Sequence, residues 1–188
     1  MAWVGDTLVS AHVDGALRSW RGGKRASSRW MVHDGEVTDM VVLSGGALIA
    51  TGGVDGTVRL TDGKKGSPRG SAELGGPVHQ LSETSDGLLA LVHLDGGAPV
   101  VIRLDGSGQE RGRWQPDGPA RLLGGRVLVF RDGRTRIHGP DGTPDGTLHG
   151  AGWKPGPAAA SGDALFVAQA DDVGFGIFTP APSDASQR

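Results

Sequence analysis

The chain is a succession of short apolar runs, each cut off by glycine, proline or an Asp-Gly pair. The runs are rich in Val, Leu and Ile and are too short for ordinary helices, which favours β-strands. Asp-Gly occurs eleven times. Between two apolar runs this pair favours a tight hairpin turn, because both central residues of the turn need positive φ. The pattern predicts an all-β protein made of consecutive antiparallel hairpins.

The pattern returns about every 40 residues. One series consists of acidic tight turns that follow an apolar run, at Asp14-Gly15, Asp55-Gly56, Asp95-Gly96, Asp132-Gly133 and, degenerately, Asp171-Asp172. A second series has the same period and consists of glycine followed by Glu or Pro, at Gly35-Glu36, Gly76-Pro77, Gly118-Pro119 and Gly156-Pro157. A period of this length indicates an array of similar units that bury their apolar faces against one another.

The second unit shows the strand pattern most clearly. Strands are predicted at 37–43, 47–51 and 57–61, and a polar fourth strand is predicted within 67–74. A four-stranded meander in about 40 residues has the size of one β-propeller blade. The predicted fold is therefore an all-β propeller of about five four-stranded meander blades, with the first and last blades incomplete. The units cover approximately 1–32, 33–74, 75–116, 117–155 and 156–179, and a disordered tail is predicted at 180–188.

The second unit also carries a recognisable motif. The segments His33-Asp34-Gly35-Glu36-Val37 and Ala50-Thr51-Gly52-Gly53-Val54-Asp55-Gly56-Thr57-Val58-Arg59-Leu60-Thr61-Asp62 resemble a WD40 repeat. In that family a His before the first strand, a Ser or Thr in the second, the Asp of the tight turn and a Trp in the third form a structural hydrogen-bond network. The resemblance implies these roles for His33, Thr51 and Asp55, whereas Thr61 occupies the Trp position. In the first unit it implies them for Asp14 and Trp20.

The WD40 resemblance implies a non-catalytic platform for protein–protein interaction. Three tryptophans, Trp30, Trp114 and Trp153, lie shortly before the glycines of the second series, where an outer strand leads into the next blade. They are a possible partner-binding rim, because Trp is frequent at binding hot spots. They could instead fill gaps between blades. A second functional hypothesis, a carbohydrate-binding lectin-like propeller or a glycan-acting propeller enzyme, depends on the same residues.

Composition excludes several kinds of chemistry. The net charge is −2 with both signs interspersed, which does not suit binding to a nucleic-acid backbone. The chain has no cysteine, no catalytic signature and no phosphate-binding loop. We therefore predict no catalytic residue, no metal site and no cofactor. No signal peptide or membrane-length apolar run is present, so we expect a cytoplasmic protein without nucleic-acid or membrane partners.

The two ends of the array bear on its partners. Trp3, Val4, Leu8 and Leu17 at one end, and Phe166, Ile177 and Phe178 at the other, give the terminal sheets apolar sides that need a cover. The array could be a complete five-blade ring, a part of a larger propeller or a component of an oligomeric ring. The sequence therefore predicts self-association, or a protein partner that supplies missing blades.

Overall fold

The protein is described from a computed structural model of the 188-residue chain. The structure describes residues 1–22, 28–94, 97–148, 155–161, 164–169 and 175–178, and only the backbone from residue 148 onward. The third and fifth predicted acidic turns, at Asp95-Gly96 and Asp171-Asp172, and the predicted tail at 180–188 lie outside the described residues.

The described chain forms five antiparallel sheets, each built from consecutive strands. The first sheet contains β1 (Ala2–Val4), β2 (Thr7–Ala11), β3 (Ala16–Trp20) and β4 (Ser28–Met31). The second contains β5 (Val37–Leu43), β6 (Leu48–Gly53), β7 (Thr57–Asp62) and β8 (Pro68–Glu73). The third contains β9 (Val78–Thr84), β10 (Gly87–His93), β11 (Pro99–Asp105) and β12 (Glu110–Trp114). The fourth contains β13 (Ala120–Leu123), β14 (Arg126–Arg131), β15 (Arg134–His138) and β16 (Pro144–Leu148), and the fifth β17 (Pro155–Ser161), β18 (Ala164–Gln169) and β19 (Phe175–Phe178).

Tight turns between paired strands explain why the chain folds into meanders. Gly15, in the turn between β2 and β3, has a φ of 77°, which favours glycine. A Cβ atom there would also collide with the carbonyl oxygen of His33, so the turn and the following connection pack closely. Within the described residues the only helical segment is a short 3₁₀ turn at Ser44–Gly46. None of their helices has the length and apolar character that crossing a membrane demands.

The hydrophobic cores lie between neighbouring sheets. Val9, Leu17 and Ile49 are fully buried between the first and second sheets. Larger sets of buried side chains fill the next two interfaces between sheets. Between the second and third sheets they include Ala50, Val58, Leu60, Leu88, Ala90 and Ile102, and between the third and fourth Leu89, Val101, Leu122, Val127 and Val129. Thin cores of aliphatic side chains of this kind suit stacked sheets.

Hydrogen bonds join the innermost strands of successive sheets. The innermost strands β1, β5, β9, β13 and β17 contact one another in that order. Asp39 Oδ2 on β5 accepts a hydrogen bond of 2.7 Å from the backbone N–H of Leu81 on β9. Gln80 on β9 makes two hydrogen bonds of 2.8 Å with the backbone of Leu122 on β13. These bonds fix the position of each inner strand against the next, and hence the spacing of the sheets.

The predicted strands of the second unit are close to the observed ones. β5 has the predicted bounds, whereas β6 starts one residue later and continues to Gly53, and β7 ends at Asp62. The first sheet has all four strands, although its innermost strand is only three residues long. The fifth sheet has three strands within the described residues. The all-β architecture of repeated four-stranded meanders is confirmed.

Candidate functional site

A buried hydrogen-bond network stands at the start of the second sheet. His33 lies in the connection between β4 and β5 and is 3% exposed. Its Nδ1 is 3.0 Å from Asp55 Oδ1, and its Nε2 is 2.9 Å from Thr51 Oγ1. Since a carboxylate only accepts hydrogen bonds, Nδ1–H is the donor to Asp55. The Thr51 hydroxyl then donates to Nε2, so the imidazole joins β6 to the turn before β7.

Asp55 gathers further donors in the same turn. The backbone N–H of Thr57 and its hydroxyl donate to Oδ1 at 3.0 and 2.8 Å, and the backbone N–H of Asp34 donates to Oδ2 at 3.2 Å. Burial alone would raise the pKa of Asp55, but the hydrogen bonds from His33 and Thr57 outweigh it and hold this pKa below its ordinary value. A carboxylate with all of these donors is a structural acceptor that holds the incoming connection against the turn.

The first sheet uses other residues at the corresponding place. Trp20 Nε1–H donates to Ser10 Oγ at 2.8 Å, and Ser10 Oγ lies 2.8 Å from His12 Nε2. Asp14 is outside this network. It pairs instead with Arg18 at 2.6 Å and Arg29 at 3.0 Å near the surface.

The structure thus brings His33, Thr51 and Asp55 together and separates Asp14 from Trp20. The hydrogen bond from the Arg18 side chain is the main cause that lowers the pKa of Asp14 to about 2. The sequence did not single out Ser10 for this network. A signal for it exists, because Ser10 precedes Asp14 by the same interval as Thr51 precedes Asp55.

The two described tryptophans of the possible rim pack into seams between sheets. Trp30 on β4 lies over Gly66 in the second sheet, where a Cβ atom would collide with the indole. Trp114 on β12 lies in the same way over Gly142 of the fourth sheet, with the ring of His138 centred 5.3 Å away. Both indoles are half-buried and pack against the core clusters. This packing favours the gap-filling interpretation over a free binding rim. Trp153 lies outside the described residues.

Two histidine rings lie next to each other in the third sheet. His79 on β9 and His93 on β10 have ring centroids 4.2 Å apart. Burial, and secondarily the neighbouring His93, hold the pKa of His79 below its ordinary value. Among the described residues no group of three His, Cys, Asp or Glu side chains converges on a point that could hold a metal ion.

A large cleft lies on the face that carries the turns between first and second strands. Its volume is about 1110 Å³, and the other cavities measure about 440, 320 and 520 Å³. We call it the turn-face cleft. It is lined by residues 82–87 and Gly106 of the third sheet, by residues 124–126, Gly139, Pro140 and 143–145 of the fourth, and by Leu43 and Leu48 of the second.

Hydrogen bonds between and within the sheets hold the lining of the turn-face cleft in place. Ser82 Oγ accepts a hydrogen bond of 2.9 Å from the backbone N–H of Gly125. Arg126 Nε donates to Asp145 Oδ2 at 2.8 Å, and this pair is only partly exposed. Thr84 donates to the exposed carboxylate of Asp86 at 3.0 Å. The cleft therefore presents hydroxyl, carboxylate and backbone groups on a fixed frame that spans three sheets.

Solved structures share this arrangement of radially stacked meanders. The β-propeller domain of Cps50 (Swd1) from Myceliophteria thermophila is similar over 98% of this chain and 65% of its own, with a TM-score of 0.71 and 17% identity. BamB from Moraxella catarrhalis is similar over 89% of this chain and 53% of its own, with a TM-score of 0.67 and 18% identity. The chain is a β-propeller. A chain of the Mitotic Checkpoint Complex is similar over 92% of this propeller chain and 59% of its own length, with a TM-score of 0.69 and 18% identity.

The propeller spans about half to two thirds of the length of these three solved chains. At such low identity the similarity shows the fold alone. No protein-family model matches the chain. No curated protein matches it either.

Proposed function

We propose that this propeller is a non-catalytic platform for protein–protein interaction. The observation that carries the proposal is the asymmetry of its surface. A propeller that binds a small ligand at each repeat would present similar pockets in every sheet. In the part of the chain that the structure describes, one cleft of about 1110 Å³ spans three sheets, whereas a cavity of about 520 Å³ is lined by other elements. A single wide cleft suits an extended polypeptide segment better than a repeated small ligand.

The chemistry of the turn-face cleft supports a polypeptide ligand. Thr84, Ser85 and Asp86 are accessible at its wall, and hydroxyl and carboxylate groups of this kind bind backbone amides and basic side chains. Leu43 and Leu48 add apolar lining. The hydrogen bond between Ser82 and Gly125 reduces the ordering that binding would require.

One similar structure supports this class of function by its name. The Mitotic Checkpoint Complex is an assembly, and its propeller chain has the same fold as this chain. Our proposal includes protein partners, either a second copy or a chain that supplies further blades, and a cytoplasmic location. It includes neither nucleic acid nor membrane as a partner.

The carbohydrate-binding hypothesis is the alternative. It requires aromatic rings that are free to stack on sugars. The packing of Trp30 over Gly66 and of Trp114 over Gly142 leaves those rings only half-exposed, which does not favour it.

The test is a peptide-library selection against the purified chain, followed by fluorescence anisotropy with the selected peptides. Ser85→Tyr places a bulky side chain in the turn-face cleft. Val54→Tyr is the matched control, because Val54 is an exposed turn residue that does not line this cleft. We expect Ser85→Tyr to weaken peptide binding at least about tenfold, which corresponds to about 1.4 kcal/mol, and Val54→Tyr to leave it unchanged.

Two outcomes would contradict the proposal. One is equal peptide affinity in both variants. The other is glycan-array binding that disappears in Trp30→Ala or Trp114→Ala, in proteins shown by circular dichroism to be folded.

A further inference from the structure

Arginine recurs four residues after the turn aspartate in three of the units, at Arg18, Arg59 and Arg136. In the first sheet Arg18 pairs with Asp14 at 2.6 Å, and in the fourth sheet Arg136 pairs with Asp117 at 2.9 Å. Arg59 differs from both, because no carboxylate of the described residues pairs with its guanidinium.

The turn carboxylate that Arg18 binds in the first sheet is engaged otherwise in the second. Asp55 accepts hydrogen bonds from His33 and from the backbone N–H and hydroxyl of Thr57. Arg59 is partly buried, and its Nε is fully buried without a hydrogen-bond partner in the described part of the chain. A cation in such a place is costly without a counter-ion, so a bound anion would offset that cost.

Arg59 lines a cavity of about 320 Å³, which we call the arginine pocket. Its walls come from the end of β4 and the residue after it, from β7, and from β8 with the turn before it. The charged residues that line it are Arg59 and Arg69, whereas Asp55 and Glu73 line the cavity of about 440 Å³. A pocket lined by one sign of charge attracts ligands of the opposite sign, so the arginine pocket favours an anion.

The charges of the arginine pocket fit an anion with a single negative charge. Arg69 donates to Asp62 Oδ2 at 2.5 Å, and this bond is the main cause that lowers the pKa of Asp62 to about 2. Asp62 is therefore ionised and neutralises Arg69. The neighbouring Lys64 and Lys65 do not line the pocket. Arg59 thus contributes one uncompensated positive charge.

The remaining lining indicates the shape of the ligand. Ser71 on β8 is the register partner of Arg59, so the two side chains are on the same face of the sheet. Met31, Val32 and Pro68 supply apolar lining. A guanidinium can donate two parallel hydrogen bonds to a carboxylate, and a cavity of this volume suits a small molecule.

We propose that the arginine pocket binds a small monocarboxylate with a short aliphatic chain. The carboxylate pairs with Arg59, and the chain lies against the apolar lining. The pocket shares no lining residue with the turn-face cleft, so it adds a small-molecule site to the proposed platform function.

The methionine methyl groups provide a direct measurement. The chain has three methionines, of which Met31 lines the arginine pocket and Met1 and Met40 do not. Butyrate is titrated into protein labelled with ¹³C at these methyl groups, and Met31→Leu assigns the Met31 NMR signal. We expect a saturable shift of that signal, with a dissociation constant on the order of 1 mM for so small a ligand. Butyramide has a similar shape without the charge and should cause no such shift.

A matched pair of variants tests the role of the guanidinium. Arg59→Gln removes the uncompensated charge and should weaken butyrate binding at least about tenfold. Arg121→Gln is the control, because Arg121 is an exposed arginine of the fourth sheet that does not line the pocket. The Arg121 variant should bind butyrate like the unaltered chain.

Four results would overturn the proposal: no saturable shift of the Met31 signal, equal responses to butyrate and butyramide, equal butyrate affinity in the two arginine variants, or tighter binding of inorganic phosphate. The comparison of butyrate with butyramide uses the unaltered chain, so it decides the question even if Arg59→Gln does not fold. Peptide binding at the turn-face cleft is measured separately, because Arg59 does not line that cleft.

Discussion

The first and second sheets have different hydrogen-bond networks at the corresponding place near their second tight turn. In the second sheet His33 reaches from the incoming connection to both Thr51 and Asp55. In the first sheet Trp20 and His12 meet at Ser10 instead. The side chains that the WD40 pattern places in one network are thus divided between two sheets.

The two networks show that the role of the turn aspartate depends on its hydrogen-bond partners. Asp55 has a histidine from the preceding connection as its partner, so it ties that connection to its own turn. Asp14 binds Arg18 and Arg29 within its own sheet. The Asp-Gly pair forms the turn in both sheets, but only in the second sheet does a buried histidine donate to the turn carboxylate.

The largest expected loss of stability comes from replacing Asp55 by alanine, and the same substitution at Asp14 is the comparison. Asp55→Ala removes the carboxylate that accepts hydrogen bonds from the buried His33 and from the backbone N–H groups of Asp34 and Thr57, and the loss of such acceptors costs about 1–3 kcal/mol. Asp14→Ala removes surface ion pairs and a long hydrogen bond of 3.3 Å from the backbone N–H of Ala16, and it should have a smaller, partly salt-dependent effect. Urea denaturation measures both free energies of unfolding. Equal losses for the two variants would mean that the buried and exposed aspartates have the same role.

A smaller effect is expected from Ser10→Ala in the first sheet. The substitution removes the acceptor of Trp20 Nε1–H and the neighbour of His12, which should cost about 1 kcal/mol because the network is only part-buried. Thr7→Ala is the control, since the Thr7 hydroxyl makes only an exposed 3.4 Å contact with Asp6. A Ser10 variant as stable as the Thr7 variant would show that the first-sheet network adds nothing to stability.

The smallest effect concerns His79, which has no place in either network. Its pKa is lowered in the folded state, so the unfolded chain binds the proton more readily. The resulting stability is fully present above the ordinary pKa of about 6.5 and decreases as the pH falls through the folded-state pKa. Unfolding measured between about pH 5 and 8 should therefore show a slope that His79→Gln reduces. An unchanged slope in His79→Gln would assign this pH dependence to other groups.

The fold could be predicted because one local rule recurs along the chain. Asp-Gly turns and short apolar runs can each be recognised from a few consecutive residues. Accordingly, β5 begins and ends where the pattern predicts. The network around Asp55 follows the same logic, since His33 and Thr51 stand at motif positions.

The features that the sequence did not predict depend on which residues contact each other between neighbouring sheets. The packing of Trp30 over Gly66 joins an outer strand to a turn of the next sheet, and periodicity does not reveal that contact. The turn-face cleft is formed by turns of several sheets, such as 82–87 and 124–126, which look like ordinary turns in the sequence. Ser10 was detectable by its spacing alone, but its neighbour His12 belongs to no motif position.

The bonds between inner strands have a mechanical consequence. Asp39 and Gln80 each fasten their sheet to the next. If neighbouring sheets were pulled apart, the joints between the second, third and fourth sheets would therefore separate only after these hydrogen bonds had broken.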